Sequence, residues 1–142
     1  MSDPHIDRIV ALFENLKRED LARLTEVYTP DASFKDPFND VQGTDAIRRV
    51  FEHMFQALHE PHFVVRERIV QGNQCFLSWD FLFRMKRFKA DEQCIRGASH
   101  LVLAADGRIQ LHRDYWDAAE ELYEKLPVLG ALMRWLKKQA NS

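Results

Sequence analysis

Residues 44–70 of the chain read TDAIRRVFEHMFQALHEPHFVVRERIV, and the period of the apolar residues changes within this stretch. As far as Leu58, apolar side chains recur every three or four positions, which is the spacing of one helix face. That stripe consists of Ile47, Val50, Phe51, Met54, Phe55 and Leu58. From Phe63 to Val70 the pattern is instead typical of a strand. We therefore expect Thr44 to cap a helix and a sheet to follow it.

The chain before this stretch is mostly helical. Apolar residues recur at helical spacing from Ile6 to Leu16 and again from Leu21 to Val27. A short strand is expected over residues 32–36, and it ends there because Pro37 forces the preceding residue into an extended conformation. Three N-terminal helices are therefore predicted, with one short strand between the second and the third.

The chain after the helices has the period of a sheet. Strands are predicted over residues 63–70, 75–88, 94–103 and 109–116. Beyond them, Leu129, Leu132, Met133 and Leu136 predict an amphipathic C-terminal helix. Helices followed by an antiparallel meander indicate an α+β fold. We expect a cone-shaped, curved, mixed or antiparallel sheet packed on the three helices, in a single domain over residues 1–142.

The composition restricts the class of function. The 142 residues are 46% hydrophobic and 30% charged with a formal net charge of −2, which is typical of a soluble globular protein. No strong positive field is present to attract nucleic acid, and no long apolar span suggests a membrane partner. Cys75 and Cys94 lack C-x-x-C spacing, so we expect reduced thiols and a cytoplasmic protein.

Side-chain alternation divides residues 75–88 between two faces of the sheet. One face carries Phe76, Ser78, Asp80 and Leu82. The other face carries Leu77, Trp79, Phe81, Phe83 and Met85. This second, apolar stripe must be covered by the helices or by a second subunit. An aspartate in the middle of such a strand costs free energy unless it is paired or hydrogen-bonded.

Four residues are candidates for acid–base chemistry: Asp36, Asp80, His112 and Asp114. A carboxylate in an apolar cavity can exchange protons near neutral pH, and His112 shares a strand face with Asp114. Structural alternatives stay open: Asp36 as a turn residue, Asp80 as a partner of Arg96, and Asp114 as a partner of a basic neighbour. No metal-ligand or nucleotide-binding spacing occurs, so we expect chemistry without a cofactor.

Residues 28–38 (YTPDASFKDPF) and 43–48 (GTDAIR) resemble the ketosteroid isomerases and the broader SnoaL-like group. This is a resemblance to the nuclear transport factor two-like superfamily, and it implies that superfamily's cone-shaped fold. It also implies that Asp36 is the base that moves a proton between carbons of an enolisable ketone. Ser99 falls near the position of a hydrogen-bond donor of these isomerases. A homodimer through the exposed sheet face is a further implication.

The last strand is similar to a different group of the same superfamily. Residues 112–117 (HRDYWD) resemble the W-R-D-Y-F-D strand of the limonene epoxide hydrolases, in which the first aspartate helps to activate water. The resemblance makes Asp114 that residue and puts Asp80 at the position of their second catalytic aspartate. Ser78, Phe34 and Asp36 fall at positions of polar residues in that group.

Three functions follow from these observations. The leading hypothesis is an isomerase or lyase that acts on a small hydrophobic carbonyl compound, with Asp36 as the base and Asp80, His112 and Asp114 sharing the proton. The alternatives are hydrolysis of an epoxide and a non-catalytic module that binds a small ligand or dimerises. The predicted substrate-binding residues are Phe34, Phe38, Phe55, Phe76, Ser78, Ser99 and Trp116.

Overall fold

The computed structural model describes residues 3–85, 92–121, 135 and 138–140. Its helices are α1 (Pro4–Glu14), a 3-10 helix (Arg18–Glu26), α2 (Thr44–Ala57) and α3 (Ala118–Glu121). Its strands are β1 (Tyr28–Lys35), β2 (Asp40–Gln42), β3 (Leu58–Gln71), β4 (Gln74–Met85), β5 (Gln93–Leu103) and β6 (Ile109–Tyr115). The predicted α+β class is confirmed. The predicted amphipathic helix with Leu129, Leu132, Met133 and Leu136 lies outside the described residues.

The six strands form one mixed sheet in the order β2-β1-β6-β5-β4-β3. From β3 to β6 each strand pairs antiparallel with the next, as the meander predicted. The first strand, β1, then lies parallel to the last strand, β6, with Phe34 opposite His112 and Lys35 opposite Arg113. This pairing joins the two halves of the sequence in a single sheet.

The helices cover one face of the sheet, and the core lies between the two layers. Ile6 and Ile9 of α1 and Ile47 of α2 are fully buried there. On β4 the buried side chains are Leu77, Trp79, Phe81 and Phe83. These four side chains therefore face the helices, which cover them in place of a second subunit. At about 25 cal/mol per Å² of buried apolar surface, this layer contributes much of the stability.

Two local expectations are wrong for identifiable reasons. Helix α2 begins at Thr44, but its cap is Gly43, with φ of 95° and no capping side chain. The Thr44 hydroxyl is buried and donates to the Thr29 carbonyl at 2.8 Å instead. Strand β1 begins at Tyr28 rather than at residue 32, because the irregular pairing between Tyr28 and Ser33 accommodates Pro30.

Candidate functional site

A cavity of about 310 Å³ lies between α2 and the inner face of the sheet. Its walls are mostly apolar. The aromatic lining residues are Phe34, Phe38, Phe51, Phe63, Trp79, Phe81, Phe83 and Trp116. The aliphatic ones are Val50, Met54, Leu58 and Ile95, and the polar ones are Asp36, Asn39, His53 and Asp114. An apolar cavity of this size with a few convergent polar groups is the usual form of a small-molecule site.

Asp114 is the carboxylate at the floor of the cavity, and its side chain is 13% exposed. Its Oδ1 atom lies 2.7 Å from His112 Nε2 and also accepts a short hydrogen bond from the Ser99 hydroxyl. Within residues 3–85 and 92–121, no donor contacts its Oδ2 atom. Two hydrogen bonds thus fix one oxygen of a carboxyl group that lines the cavity.

A buried tyrosine is the second hydrogen-bond partner of His112. The Tyr28 hydroxyl lies 2.6 Å from His112 Nδ1, and the two rings are stacked 5.9 Å apart. Complete burial, with the negative charge of Asp114 as a second cause, raises the pKa of Tyr28 well above its ordinary value of 10.0. The phenol therefore remains protonated and hydrogen-bonds to Nδ1. The Nε2–H group of His112 donates to Asp114, so the imidazole is held between the phenol and the carboxylate.

A second chain of hydrogen bonds reaches Asp114 from β4. The Trp79 indole N–H donates to Ser99 Oγ at 2.9 Å, and the Ser99 hydroxyl donates in turn to Asp114. The indole lies flat on Gly97, where an added Cβ would come within 2.5 Å of the ring. Gly97 thus provides the close approach that brings the indole N–H to Ser99.

Asp36 is the second carboxylate of the cavity, and it also organises the turn after β1. Its Oδ1 atom accepts hydrogen bonds from the backbone N–H groups of Phe38 at 2.8 Å and Asn39 at 2.6 Å. The Asn39 side-chain amide adds a third at 3.0 Å. Since Lys35 is opposite Arg113 on parallel strands about 4.8 Å apart, the next residue, Asp36, follows beside Asp114.

The two strands also bring predicted ligand-contacting residues together at the cavity. Phe34 packs edge-on against His112, with ring centroids 4.7 Å apart. Phe38 and Trp116 form a T-shaped pair 5.5 Å apart beside Asp36. Ser99 lies behind Asp114 rather than on the main cavity wall. The predicted group of Asp36, His112 and Asp114 is therefore adjacent in space.

The expectation that Phe76, Ser78 and Asp80 face the same cavity is corrected. Alternation along β4 puts them on the outer face, because Trp79 and Phe81 take the inner face. Asp80 forms an ion pair with Arg66 at 2.6 Å and not with Arg96, although Arg96 is its register partner.

Phe76 stacks on His100 with a 4.4 Å centroid separation, and the Ser78 hydroxyl accepts from the Glu67 N–H. Phe55 packs against the core from α2 but does not line the cavity.

Sequence reasoning missed Tyr28 and the part that Trp79 plays. Tyr28 stands at a strand start beside a Thr-Pro turn signal, and only its pairing across the sheet brings it to His112. A signal did exist for Trp79, Phe81 and Phe83. These three aromatic residues alternate along β4 and therefore share one face. Such a face is better suited to the core than the opposite face, which carries Ser78 and Asp80.

No cluster of three or more His, Cys, Asp or Glu residues suited to a metal occurs in the described part of the chain. None of the helices resolved within that part is both long and apolar enough to cross a membrane. Cys75 and Cys94 are reduced thiols in the structure, as expected. The cytoplasmic location stays a prediction.

The model of the SnoaL-like domain family matches residues 9–112, which is well over half of the chain. The chain therefore belongs to the SnoaL-like domain family, in agreement with the resemblance of its sequence. No curated protein matches its sequence significantly. The family match does not reach residues 113–142, so the single domain over residues 1–142 stays a prediction.

Several solved structures share the fold at low sequence identity. A hypothetical protein from Catenulispora acidiphila with a ketosteroid isomerase-like fold, in complex with trimethylamine, has a TM-score of 0.73 at 13% identity, covering 86% of this chain and 92% of its own. A putative SnoaL-like polyketide cyclase from Shewanella putrefaciens has a TM-score of 0.70 at 19% identity, and the match covers 86% of this chain and 98% of that protein. An epoxide hydrolase from M. tuberculosis has a TM-score of 0.65 at 14% identity, and the match covers 82% of this chain and 83% of that protein.

The buried phenol of Tyr28 makes stability depend on alkaline pH. Above about pH 10 an unfolded Tyr28 loses its proton while the folded one keeps it, so the folded state binds more protons. The free energy of unfolding should then fall by about 1.4 kcal/mol per pH unit from this group alone. Urea unfolding between about pH 8 and pH 11 should show this extra slope in the wild type and not in Tyr28→Phe. Equal slopes would contradict the assignment.

Gly97→Ala should displace the Trp79 indole and break its hydrogen bond to Ser99. We expect a loss of about 1–3 kcal/mol of stability from overpacking, together with a changed environment of the indole N–H. The measurements are urea unfolding and the Trp79 indole resonance in a nitrogen–proton correlation spectrum. Ala98→Ser adds one atom on the opposite face of the same strand and should change neither. An unmoved indole resonance in Gly97→Ala would rule out this role of Gly97.

Proposed function

We propose that the chain is a cofactor-free enzyme that moves a proton within a small hydrophobic carbonyl compound bound in the cavity, with Asp114 as the base. The proposal rests on the hydrogen bonds of the Asp114 carboxyl group. Its Oδ1 atom is fixed by His112 and Ser99, while no described donor contacts its Oδ2 atom. A carboxylate held in this way is oriented before the substrate arrives.

The reaction consists of two proton transfers. Asp114 Oδ2 removes a proton from the carbon next to the carbonyl group, and the electron pair of that C–H bond forms an enolate. The protonated Asp114 then returns the proton to a different carbon of the conjugated system, which shifts the double bond and regenerates the carboxylate. His53 lines the same cavity and supplies an imidazole donor suited to the enolate oxygen.

His112 and Tyr28 act behind the carboxylate. The Nε2–H group of His112 donates to Asp114 Oδ1, and the hydrogen bond between the Tyr28 hydroxyl and Nδ1 holds the imidazole in place. Asp36 is the second carboxylate, and its hydrogen bonds to the turn make it a less available base than Asp114. Asp80 has no part in the reaction because it lies on the outer face, paired with Arg66.

Asp114→Asn replaces the carboxylate base with a carboxamide of similar shape. We expect kcat to fall by about 10²–10⁴-fold with a small β,γ-unsaturated cyclic ketone as substrate. The reaction is measured by the absorbance of the conjugated product. Asp80→Asn is the matched control, because it removes an outer carboxylate of the sheet and should retain the rate. Thermal unfolding should show that both variants are folded.

Asp36→Asn decides between the two carboxylates of the cavity. If Asp114 is the base, Asp36→Asn keeps more activity than Asp114→Asn. The reverse order of rates would transfer the role to Asp36, as in the ketosteroid isomerases. Formation of a diol that carries oxygen from labelled solvent water, with an epoxide as substrate, would instead support hydrolysis and contradict proton transfer between carbons.

We also propose that two copies of the chain associate through the outer face of the sheet. Ile69, Phe76 and His100 lie side by side there on β3, β4 and β5. The side chains of Ile69 and Phe76 are 65% and 44% exposed, and Tyr115 on the same face is 48% exposed. Apolar side chains repeated across one sheet face are suited to a two-fold symmetric contact.

Phe76→Arg should separate the two copies, because it sets like charges against each other at the centre of a two-fold contact. Light scattering after size-exclusion chromatography should give the mass of two chains for the wild type and of one chain for Phe76→Arg. Glu19→Arg, an exposed change on the 3-10 helix, should retain the mass of two chains. A single-chain mass for the wild type would refute the dimer.

A further inference from the structure

The ionisable groups of the cavity give it a negative character. Of the described residues that line it, Asp36 and Asp114 are acidic, His53 is the other titratable group, and none is Lys or Arg. An anionic ligand would therefore find no cationic partner among these residues and would face two carboxylates. A ligand that carries a positive charge would be attracted by both.

The aromatic walls of the cavity also favour a positively charged ligand. Phe63 and Phe81 stack with ring centroids 4.6 Å apart, and Phe83 continues the stack 5.2 Å from Phe81. Trp79 packs edge-on against Phe63 at 5.3 Å. The faces of such rings carry partial negative charge and attract organic cations. Phe34, Phe38, Phe51 and Trp116 supply four more rings to the lining of the cavity.

We infer that the cavity binds a small organic cation, namely a compound with an alkylammonium head group. Rings alone would suit any apolar compound, and carboxylates alone would attract any cation. Together they select a cation whose surface is apolar, because its charge is spread over methyl groups that contact the rings. The inference rests on the proposed function in taking the same cavity as the substrate site, and it gives the carbonyl substrate a positively charged group.

This assignment is compatible with the role of Asp114. A quaternary ammonium group has no N–H to donate, so it attracts a carboxylate without forming a hydrogen bond to the oxygen. The Oδ2 atom of Asp114 therefore stays available as a proton acceptor. The positive charge would also lower the energy of an enolate formed within the same ligand.

A pair of isosteric probes separates charge from shape. Choline and 3,3-dimethylbutan-1-ol differ in one atom, because a neutral carbon replaces the quaternary nitrogen. Isothermal titration calorimetry at low salt should give a Kd for choline at least about tenfold lower than that for the alcohol, as expected for a desolvated cation on aromatic faces. Equal affinities, or binding of neither probe, would overturn the inference.

Two variants test which groups cause the preference. Asp36→Asn removes one negative charge and should reduce the choline-to-alcohol affinity ratio several-fold, whereas Asp80→Asn, on the outer face, should leave the ratio unchanged. Phe63→Leu removes an aromatic face while keeping an apolar side chain, and should weaken choline more than the alcohol. An unchanged ratio in both Asp36→Asn and Phe63→Leu would overturn the inference.

The failure of this inference can be told apart from the failure of the proposed function. Turnover of a neutral unsaturated ketone that depends on Asp114, with no preference for choline, would refute the binding of a cation and leave the proposed proton transfer standing. A choline preference that depends on Asp36 and Phe63, with no turnover of any carbonyl compound, would support the cation and refute the proton transfer.

Discussion

The parallel pairing of β1 with β6 is the contact on which the site depends. The register that sets Phe34 opposite His112 also carries Asp36 to the side of Asp114, although these residues are far apart in the sequence. Because the two strands run in the same direction, their carboxyl ends meet at one edge of the sheet, where both carboxylates line the cavity. The turn after β1, held by Asp36, adds Phe38 and Asn39 to the same edge.

The polar network behind the cavity is buried, and its groups are hydrogen-bonded to one another. Tyr28, His112, Asp114, Ser99 and Trp79 form a branched chain in which His112 and Ser99 both donate to Asp114 Oδ1. In a low-dielectric interior an unpaired polar group costs several kcal/mol, so the network stabilises one arrangement of side chains. The same arrangement fixes one oxygen of Asp114, whose carboxyl group lines the cavity, and this links the packing of the core to the site.

The sequence allowed part of the site to be predicted. Alternation along the last strand correctly put His112 and Asp114 on one face, and the motif around Asp36 identified the second carboxylate. Alternation along β4 correctly separated Asp80 from Trp79, but it could not tell which face is the inner one. Asp80 was therefore included among the catalytic residues, although the helices cover the face that carries Trp79. Which face is buried depends on the packing of the two layers.

The sequence by itself determined the fold class and the approximate positions of most helices and strands, because these follow from the period of apolar residues within short segments. It also determined the SnoaL-like resemblance, which short motifs near Asp36 carry. Only the tertiary structure decided that Tyr28 meets His112, that Gly97 makes room for Trp79, and that Asp80 pairs with Arg66. These contacts join distant segments, and their geometry depends on strand register and on layer packing, which local periodicity does not encode.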